Sequence, residues 1–324
     1  MKQATMKQHV VVYKKLPDSL LAMLRDACDV SYFDGVNADN FARFAAAVKN
    51  ADGLLGASVA LSNDLLAQAV KLKIISTISV GVDQFDVAYL RQRGIMLANT
   101  PDVLTETTAD TIFALILSSA RRVVELAQFV KEGKWTHSIG ETLYGSNVHS
   151  KTIGVLGMGR IGRAVARRAS LGFGMQVIYT NSSPVPEADA AFNARAVPLD
   201  TLLAEADFVC VVLPLTEHTE RMIGAREFAL MRPNAIFING SRGKIVDEAA
   251  LIAALQTGRF QAAGLDVFEH EPLAVDSPLL HMPNVVALPH IGSATHETRF
   301  AMAQLAVDNL MAGLAGKRPA CLVI

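Results

Sequence analysis

Three short polar segments each directly follow an apolar run, and together they carry a cation, a carboxylate and an imidazole. The segments are 239–243, 266–272 and 289–293. The guanidinium of Arg242 could bind a carboxylate through two hydrogen bonds. An imidazole such as that of His290 can give a proton to an oxygen that gains negative charge, and a neighbouring carboxylate fixes its tautomer and favours its charged form. These groups suit the reduction of a 2-keto acid.

A glycine-rich segment lies upstream of them. Residues 154–162 read GVLGMGRIG and contain the pattern GxGxxG as Gly157, Gly159 and Gly162. Since the pattern follows a β-branched run and opens a helical one, it indicates a dinucleotide site rather than a simple glycine turn. Gly157 would permit the tight turn, Gly159 the approach of a pyrophosphate, and Gly162 close packing of helix on strand. The N-terminus of the helix would offer N–H groups to the phosphates.

The second half of the dinucleotide pattern is missing. NAD-binding units usually carry an Asp or Glu about 20 residues after the glycine loop. Here the strand runs into the neutral sequence TNSS at 180–183, and the first carboxylate is Glu187. An acid would repel a 2′-phosphate, whereas hydroxyl and amide groups can donate hydrogen bonds to it. The loop contains no Lys or Arg, so Arg160 would have to reach from the glycine loop. The sequence favours NADP(H) and leaves NAD(H) possible.

The composition describes a folded globular protein. The 324 residues predict about two domains. The net charge of −1, without a long run of one sign, gives no footprint for nucleic acid or a charged membrane surface. The longest uncharged helical stretch, 111–120, is about half of what a bilayer span needs. The apolar run 10–13 is too short for a signal peptide.

The cysteines are few and scattered. Cys28, Cys210 and Cys321 are odd in number and form no CxxC pair. They disfavour a disulfide framework and a zinc site, so no metal is expected, and they suit a reducing cytoplasm. The last four residues, CLVI, match the prenylation pattern C-a-a-X, although Ile is unusual at the last position. A frayed apolar tail is the alternative interpretation.

Strand and helix patterns alternate along the chain, which is typical of parallel sheets covered on both faces. A long helix beginning at Pro101-Asp102 is predicted to carry apolar positions as far as Ala127. Before it we predict strands at 10–13, 74–78 and 95–98, and helices at 20–27 and 37–51. After it we predict strands at 152–156, 176–179, 208–213, 235–239, 262–266 and 285–288, and helices at 161–169, 199–205, 225–231, 247–256 and 294–314.

Eight motifs spread over nearly the whole chain resemble a known family. They are SVGVD at 79–83, TETTADT at 105–111, GMGRIG at 157–162, LPLT at 213–216, NGSRG at 239–243, VDE at 246–248, GLDVFEHEP at 264–272 and PHIGSAT at 289–295. In this order they resemble the D-isomer-specific 2-hydroxyacid dehydrogenases. Within that family the chain is most similar to the bacterial glyoxylate/hydroxypyruvate reductases that also reduce 2-ketogluconate, the 2-ketoaldonate reductases.

The resemblance implies a role for each matching position. Arg242 stands where the family has its substrate-binding arginine, and His290 where it has its acid–base histidine. The glutamate paired with that histidine directly precedes a proline in the family, which selects Glu271. The backbone of Val80 and Gly81 resembles the pair of amides that receives the substrate carboxylate.

The resemblance also implies a set of cofactor contacts. Asp266 matches the aspartate that binds the nicotinamide carboxamide. Arg160 and Ile161 resemble the pyrophosphate clamp, and the segment 180–183 occupies the position of the adenosine-ribose loop. The full set expected to contact the cofactor is Gly157, Gly159, Arg160, Ile161, Gly162, Asn181, Ser182, Ser183, Pro214, Gly240, Asp266 and Gly292.

By the same resemblance the fold is α/β, with two doubly wound parallel-sheet domains and a cleft between them. A flavodoxin-like substrate domain would comprise 1–100 and 290–324, and a Rossmann coenzyme domain 101–289. The expected activity is NADPH-dependent reduction of glyoxylate, hydroxypyruvate or 2-keto-D-gluconate to the D-2-hydroxy acid. The expected protein is cytoplasmic, binds neither nucleic acid nor membrane, and forms a homodimer through the helix near 102–131. Trp135 would anchor a pocket or an interface, or pack under that helix.

Two alternatives stay open. In formate dehydrogenase, a relative that needs no proton donor, the partner of the histidine is an amide, so Glu271 argues against that activity. A nucleotide-sensing, corepressor-like protein on the same fold would bind NAD(P)H and turn over slowly. The lack of docking extensions disfavours it, and one steady-state assay would separate it from an enzyme, since one fold hosts many functions.

Overall fold

The computed structural model describes residues 7–324, which divide into two compact units. The first unit contains the described residues up to Leu104 together with Thr295–Ile324, and the second is Thr105–Ala294. The first unit is therefore built from two stretches that are far apart in the sequence.

The first unit contains a five-stranded parallel sheet in the order β2-β1-β3-β4-β5. Its elements before the second unit are β1 (His9–Val12), α1 (Asp18–Ala27), β2 (Asp29–Tyr32), α2 (Phe41–Val48), β3 (Gly53–Gly56), α3 (Asn63–Ala67), β4 (Ile74–Thr77), α4 (Val87–Gln92) and β5 (Met96–Ala98). This strand order is the flavodoxin-like form of the doubly wound fold.

Two strands of this sheet escaped prediction for different reasons. β2 is an edge strand with the sequence DVSY and no fully buried residue, so it lacks an apolar signal. β3 is wholly buried, but its sequence GLLG offers only two large apolar residues between glycines. A side chain at Gly56 would collide with the ring of Tyr13, so packing requires a glycine in this strand despite its low strand propensity.

The second unit contains a seven-stranded parallel sheet in the order β12-β11-β10-β9-β6-β7-β8. Its elements are α5 (Thr105–Ala120), α6 (Val123–Lys131), β6 (Thr152–Leu156), α7 (Arg160–Arg167), β7 (Gln176–Thr180), α8 (Pro186–Phe192), β8 (Arg195–Ala196), α9 (Leu199–Glu205), β9 (Phe208–Val211), α10 (Ala225–Leu230), β10 (Ile236–Asn239), α11 (Glu248–Gln256), β11 (Ala262–Leu265) and β12 (Val285–Ala287). The strand order reverses between β6 and β9, which is the topological switch point of a Rossmann sheet.

Helices cover both faces of this second sheet. Along β9, Phe208 and Cys210 point into a core shared with α5 and α7. The alternate residues Val209 and Val211 point into a core shared with α9, α10 and α11. Because successive side chains of a strand face opposite sides, a strand buried on both faces reads as the continuous apolar run FVCV. The predicted α/β class with two parallel sheets is confirmed.

The single long helix predicted after Pro101 is wrong. The helical structure begins at Thr105, ends at Ala120 and resumes at Val123 as a separate helix. Arg122 has a φ of 54°, a left-handed conformation that a continuous helix excludes. Two hydrogen bonds of 2.8 and 2.6 Å to Glu125 hold its guanidinium. No residue of α6 is fully buried, so its apolar positions do not belong to the core of this unit.

The chain returns to the first unit through α12 (His296–Leu314), which packs on β3 and β4. The last residues then lie antiparallel to β5: Leu322 pairs with Ala98, and the amide of Val323 donates to the carbonyl of Leu97 over 2.7 Å. The interpretation of a frayed tail is wrong, because the tail satisfies the backbone groups of an edge strand.

Within residues 7–324, no helix is both long and apolar enough to cross a bilayer. The three cysteines are free thiols, with Cys28 and Cys210 buried and Cys321 partly exposed.

Candidate active site

The three polar segments found in the sequence follow β10, β11 and β12, which are neighbours in the second sheet. Because parallel strands end at the same edge, the segments 239–243, 266–272 and 289–293 lie side by side. The glycine loop follows β6 at the same edge. The topology therefore places the cation, the carboxylate and the imidazole beside the predicted dinucleotide site.

His290 and Glu271 form a direct pair. Nδ1 of His290 lies 2.7 Å from Oε2 of Glu271. The side chains are 46% and 36% exposed, so the pair opens to solvent and to any bound molecule. With Nδ1 engaged by the carboxylate, Nε2 is the ring atom left to exchange a proton. The geometry is that of a general acid–base and its orienting partner.

Several groups keep Glu271 ionised. Burial by itself raises the pKa of this carboxyl. The hydrogen bond and charge of His290, the amide of Phe268 and the charge of Arg242 outweigh burial and hold the pKa below its ordinary value. The Phe268 amide donates to Oε1 over 3.1 Å, so both carboxylate oxygens are engaged. The Glu271 carboxylate therefore holds a negative charge next to the imidazole of His290 at neutral pH.

Asp266 fixes the backbone that follows the histidine. Its Oδ1 accepts from the amide of Ile291 over 2.7 Å, and its Oδ2 accepts from the amide of Gly292 over 2.8 Å. Burial raises the pKa of this carboxyl, while those two amides act in the opposite direction. Since His290 has a φ of 54°, the backbone beside it is strained, and Asp266 restrains the two residues that follow. No sequence pattern indicated this second task for Asp266.

Arg242 is half-buried and is held by the turn that contains it. Its Nη1 donates to the carbonyl of Ser241 over 2.9 Å. The turn is shaped by the buried side chain of Asn239, whose Oδ1 accepts from the Ser241 amide at 3.1 Å and whose Nδ2 donates to the Arg242 carbonyl at 3.0 Å. Arg242 follows β10, which pairs with the strand that precedes Glu271, and its charge contributes to the lowered pKa of Glu271. An amide side chain directly ending a buried apolar strand was the only signal of Asn239.

The glycine loop has the shape that a pyrophosphate requires. Gly157 has a φ of 101°, and a Cβ there would lie 2.7 Å from the carbonyl oxygen of Val212. A Cβ at Gly162 would collide with the carbonyl of Gly157, whereas one at Gly159 would meet no atom within 4 Å. Gly159 stands at the N-cap of α7 and contributes no side-chain cap, so the N-terminus of the helix faces the loop with its backbone N–H groups. These residues fit a dinucleotide.

The loop after β7 is joined to the glycine loop by Asn181. Its Oδ1 accepts from the amide of Met158 at 3.2 Å, and its Nδ2 donates to the carbonyl of Ser183 at 2.9 Å. One amide hydrogen of Asn181 is thus used within the protein. The side chains of Ser182 and Ser183 are exposed. The neutral hydrogen-bond donors that this loop exposes are therefore chiefly the hydroxyls of Ser182 and Ser183.

The other expected cofactor residues have different surroundings. Pro214 is exposed, and its carbonyl accepts from the Thr219 hydroxyl at 2.7 Å. A Cβ at Gly240 would lie 2.5 Å from Ile112 Cγ1, so packing against α5 is sufficient reason for that glycine. A Cβ at Gly292 would lie 3.2 Å from Asp266 Oδ2, which is tight.

Val80 and Gly81 belong to the first unit, in the loop that follows β4. Both are partly exposed. Among residues 7–324, neither amide donates a hydrogen bond to a protein acceptor. Two adjacent N–H groups without an acceptor can bind a carboxylate.

Comparison with known proteins agrees with these motifs. Residues 113–292 match the family model described as D-isomer specific 2-hydroxyacid dehydrogenase, NAD binding domain. The chain is 57% identical over 311 residues to glyoxylate/hydroxypyruvate reductase B of Escherichia fergusonii, covering 96% of each chain. The protein of that name from Citrobacter koseri is 56% identical over 312 residues, again covering 96% of each.

Solved structures agree as well. A protein of Thermus thermophilus is 41% identical, with a TM-score of 0.90 and coverage of 98% of this chain and 100% of that one. An NADPH-dependent glyoxylate/hydroxypyruvate reductase of Sinorhizobium meliloti, in complex with NADP and malonate, is 33% identical, with a TM-score of 0.86 and coverage of 98% and 97%. The resemblance found in the motifs is confirmed, and the chain belongs to the D-isomer specific 2-hydroxyacid dehydrogenase family of oxidoreductases.

Proposed function

We propose that this protein uses NADPH to reduce a small 2-keto acid, such as glyoxylate, hydroxypyruvate or 2-keto-D-gluconate, to the D-2-hydroxy acid. The single observation that carries the proposal is the contact between His290 and Glu271, on the sheet edge that also bears Arg242 and the glycine loop. The Escherichia fergusonii relative, 57% identical, is named for glyoxylate and hydroxypyruvate.

His290 serves as the proton donor in this proposal. When bound, the reduced nicotinamide supplies the hydride that reduces the keto carbon. As negative charge grows on the keto oxygen, Nε2 of His290 gives it a proton. Glu271 keeps Nδ1 protonated and balances the charge of the imidazolium, because its own carboxyl stays ionised. Formate oxidation needs no such donor, which makes Glu271 an argument against it.

Two sets of hydrogen-bond donors are assigned to the substrate carboxylate. Arg242 offers a permanently charged guanidinium, which can make two parallel hydrogen bonds to a carboxylate. The first unit offers the amides of Val80 and Gly81. The first unit thus contributes to substrate binding, and the second, Thr105–Ala294, binds the coenzyme and contributes Arg242.

The cofactor proposal rests on the second unit. Gly157, Gly159 and Gly162 shape the loop, and the amides of Arg160 and Ile161 hold the pyrophosphate. NADPH is proposed over NADH because exposed Ser182 and Ser183 can donate to a 2′-phosphate and the loop carries no acid to repel it. Asp266, Pro214, Gly240 and Gly292 complete the proposed contacts, with Asn181 joining the two loops.

The proposed assembly is a homodimer in the cytoplasm. Val123, Val124 and Val130 of α6 are about half exposed, and Trp135 downstream is 62% exposed. Trp135 therefore does not pack under the helix, and it suits an interface anchor. A second copy of the chain covering this face would account for a helix without buried residues.

A steady-state assay tests the function. NADPH oxidation is measured with glyoxylate, hydroxypyruvate and 2-keto-D-gluconate, then repeated with NADH, and the configuration of the product is determined. Turnover of at least one keto acid with a D-product supports the proposal. NADPH binding without turnover would identify the corepressor-like alternative, and NAD-dependent oxidation of formate would identify the formate dehydrogenase alternative.

A further inference from the structure

Asn99 directly follows β5 and contacts the loop after β4 that contains Val80 and Gly81. It takes no part in the chemistry proposed above. Its side-chain Nδ2 donates to the carbonyl oxygen of Val80 over 2.8 Å. The next residue, Thr100, donates its amide to the carbonyl of Ser79 over 2.9 Å. One dipeptide at the end of β5 therefore binds two successive carbonyls of the loop that follows β4.

These two hydrogen bonds set the direction of two amides. In a planar trans peptide the C=O of one residue and the N–H of the next point in opposite directions. Holding the Ser79 carbonyl therefore aims the Val80 N–H away from Thr100. Holding the Val80 carbonyl aims the Gly81 N–H away from Asn99. The Ser79 hydroxyl, 2.8 Å from the Gly81 carbonyl, holds the following peptide in the same way.

Asn99 is itself fixed by the C-terminal part of the chain. Its backbone N–H donates to the backbone carbonyl of Cys321 at 3.2 Å, and its backbone carbonyl accepts from Nδ2 of Asn309 at 3.1 Å. Asn309 is 1% exposed, and its Oδ1 accepts from the Cys321 amide at 3.2 Å. The tail and α12 thus close a ring of hydrogen bonds around the backbone of Asn99.

We propose that Asn99 is a positioning residue for substrate binding: it orients the Val80 and Gly81 amides toward the substrate carboxylate, and the C-terminal tail holds it in place. The inference rests on the proposed function, which assigns those amides to the carboxylate. It predicts that Asn99 affects the binding of the keto acid and leaves the NADPH site unaffected, because its hydrogen bonds to Val80, Cys321 and Asn309 lie within the first unit.

The test compares Asn99→Ala with Asn40→Ala. Asn40 is a matched control, because its Nδ2 also donates to a backbone carbonyl, that of Gly35 at 2.9 Å, in the same unit. For Asn99→Ala we expect the KM for the keto acid to rise about tenfold, the effect of one lost hydrogen bond of about 1.4 kcal/mol. We expect kcat to change less than KM, and the Kd for NADPH to equal that of the control.

Hydrogen exchange at the Thr100 amide gives a readout that does not depend on activity. It should accelerate in Asn99→Ala and stay unchanged in Asn40→Ala, because the loop that accepts this hydrogen bond loosens. A chain ending at Ala320, which leaves Asn99 intact but removes the tail, should change KM and exchange in the same direction by a smaller factor.

The outcomes distinguish failure of the positioning role from failure of the proposed function. Equal KM values for Asn99→Ala and Asn40→Ala overturn the positioning role, as does unchanged exchange at Thr100. An unmodified protein that reduces no keto acid refutes the proposed function instead, and the exchange comparison then still decides whether Asn99 holds the loop.

Discussion

Nδ1 of His290 lies 2.7 Å from Oε2 of Glu271, and the histidine holds a left-handed backbone with a φ of 54°. A non-glycine residue in this conformation carries a cost of about 1–3 kcal/mol. Surrounding contacts must maintain it, and the two hydrogen bonds from the following amides to Asp266 do so. The contact with Glu271 defines which ring nitrogen exchanges a proton.

Replacing His290 by Ala should lower kcat by about 10²–10⁴, because the keto oxygen loses its proton donor. The Kd for NADPH should not change. His149→Ala serves as the control, since His149 is exposed and its Nδ1 lies 3.4 Å from the hydroxyl of the neighbouring Ser150. Steady-state turnover and fluorescence titration of NADPH provide the two measurements. Full turnover by His290→Ala would refute the assignment.

Glu271→Gln should lower kcat/KM for keto acid reduction by about tenfold or more at neutral pH, because the charged imidazole of His290 loses its negative partner. The folded pKa of Glu271 is depressed, so its charge is present above its ordinary pKa of 4.5 and is lost only as the pH falls through the lower folded value. Protonation of Glu271 should therefore cause no loss of activity in the unmodified enzyme above about pH 4.5. Steady-state kinetics of both proteins between about pH 5 and 8 check this. Equal kcat/KM values for Glu271→Gln and the unmodified enzyme would show that the carboxylate does not assist proton transfer.

Arg242→Lys should raise the KM for the keto acid by a factor of about 10–100, since a point charge replaces a fork that makes two charge-assisted hydrogen bonds. Arg226→Lys is the control. Arg226 is an exposed arginine whose ion pairs with Asp200 and Glu227 lie at the surface, where such pairs contribute little. Equal KM values for both variants would contradict a role of Arg242 in carboxylate binding.

Ser182→Asp should lower the ratio of kcat/KM with NADPH to kcat/KM with NADH by about tenfold or more, because a carboxylate repels the 2′-phosphate and can accept from a ribose hydroxyl. Ser182→Ala isolates the loss of the hydroxyl from the gain of charge. Since the Ser182 side chain is exposed, neither change should lower the melting temperature. A ratio that Asp leaves unchanged would place the 2′-phosphate elsewhere.

Two alanine substitutions in the glycine loop should separate an effect on stability from an effect on NADPH binding. Gly157→Ala should lower the free energy of unfolding by about 1–2 kcal/mol or more, because its φ is 101° and the new Cβ would lie 2.7 Å from the Val212 carbonyl. Gly159→Ala meets no atom within 4 Å and should leave stability unchanged while weakening NADPH binding. Chemical denaturation and NADPH titration of both variants check this; tight NADPH binding by Gly159→Ala would contradict the pyrophosphate site.

Much of the fold followed from local patterns. The strand at 152–156 and the helix at 199–205 have the bounds that periodicity predicted. The short helices α3 and α4 and the two-residue strand β8 were not predicted, because segments of two to six residues carry too little periodicity. The break at Arg122 was missed because apolar spacing continues across it, and only the left-handed φ ends the helix there.

The chemistry of this protein could be inferred from its residues alone, because their types, the glycine loop and the order of the motifs identify a dehydrogenase family. How those groups are held became known only from the packed chain. Asn239 shapes the turn of Arg242, Asp266 restrains the residues after His290, and Asn99 meets a tail more than 200 residues downstream. A pattern reports which residues are buried and which are polar, since burial follows local periodicity. It does not report which distant donor meets which acceptor, because that pairing exists only once the strands and helices have packed.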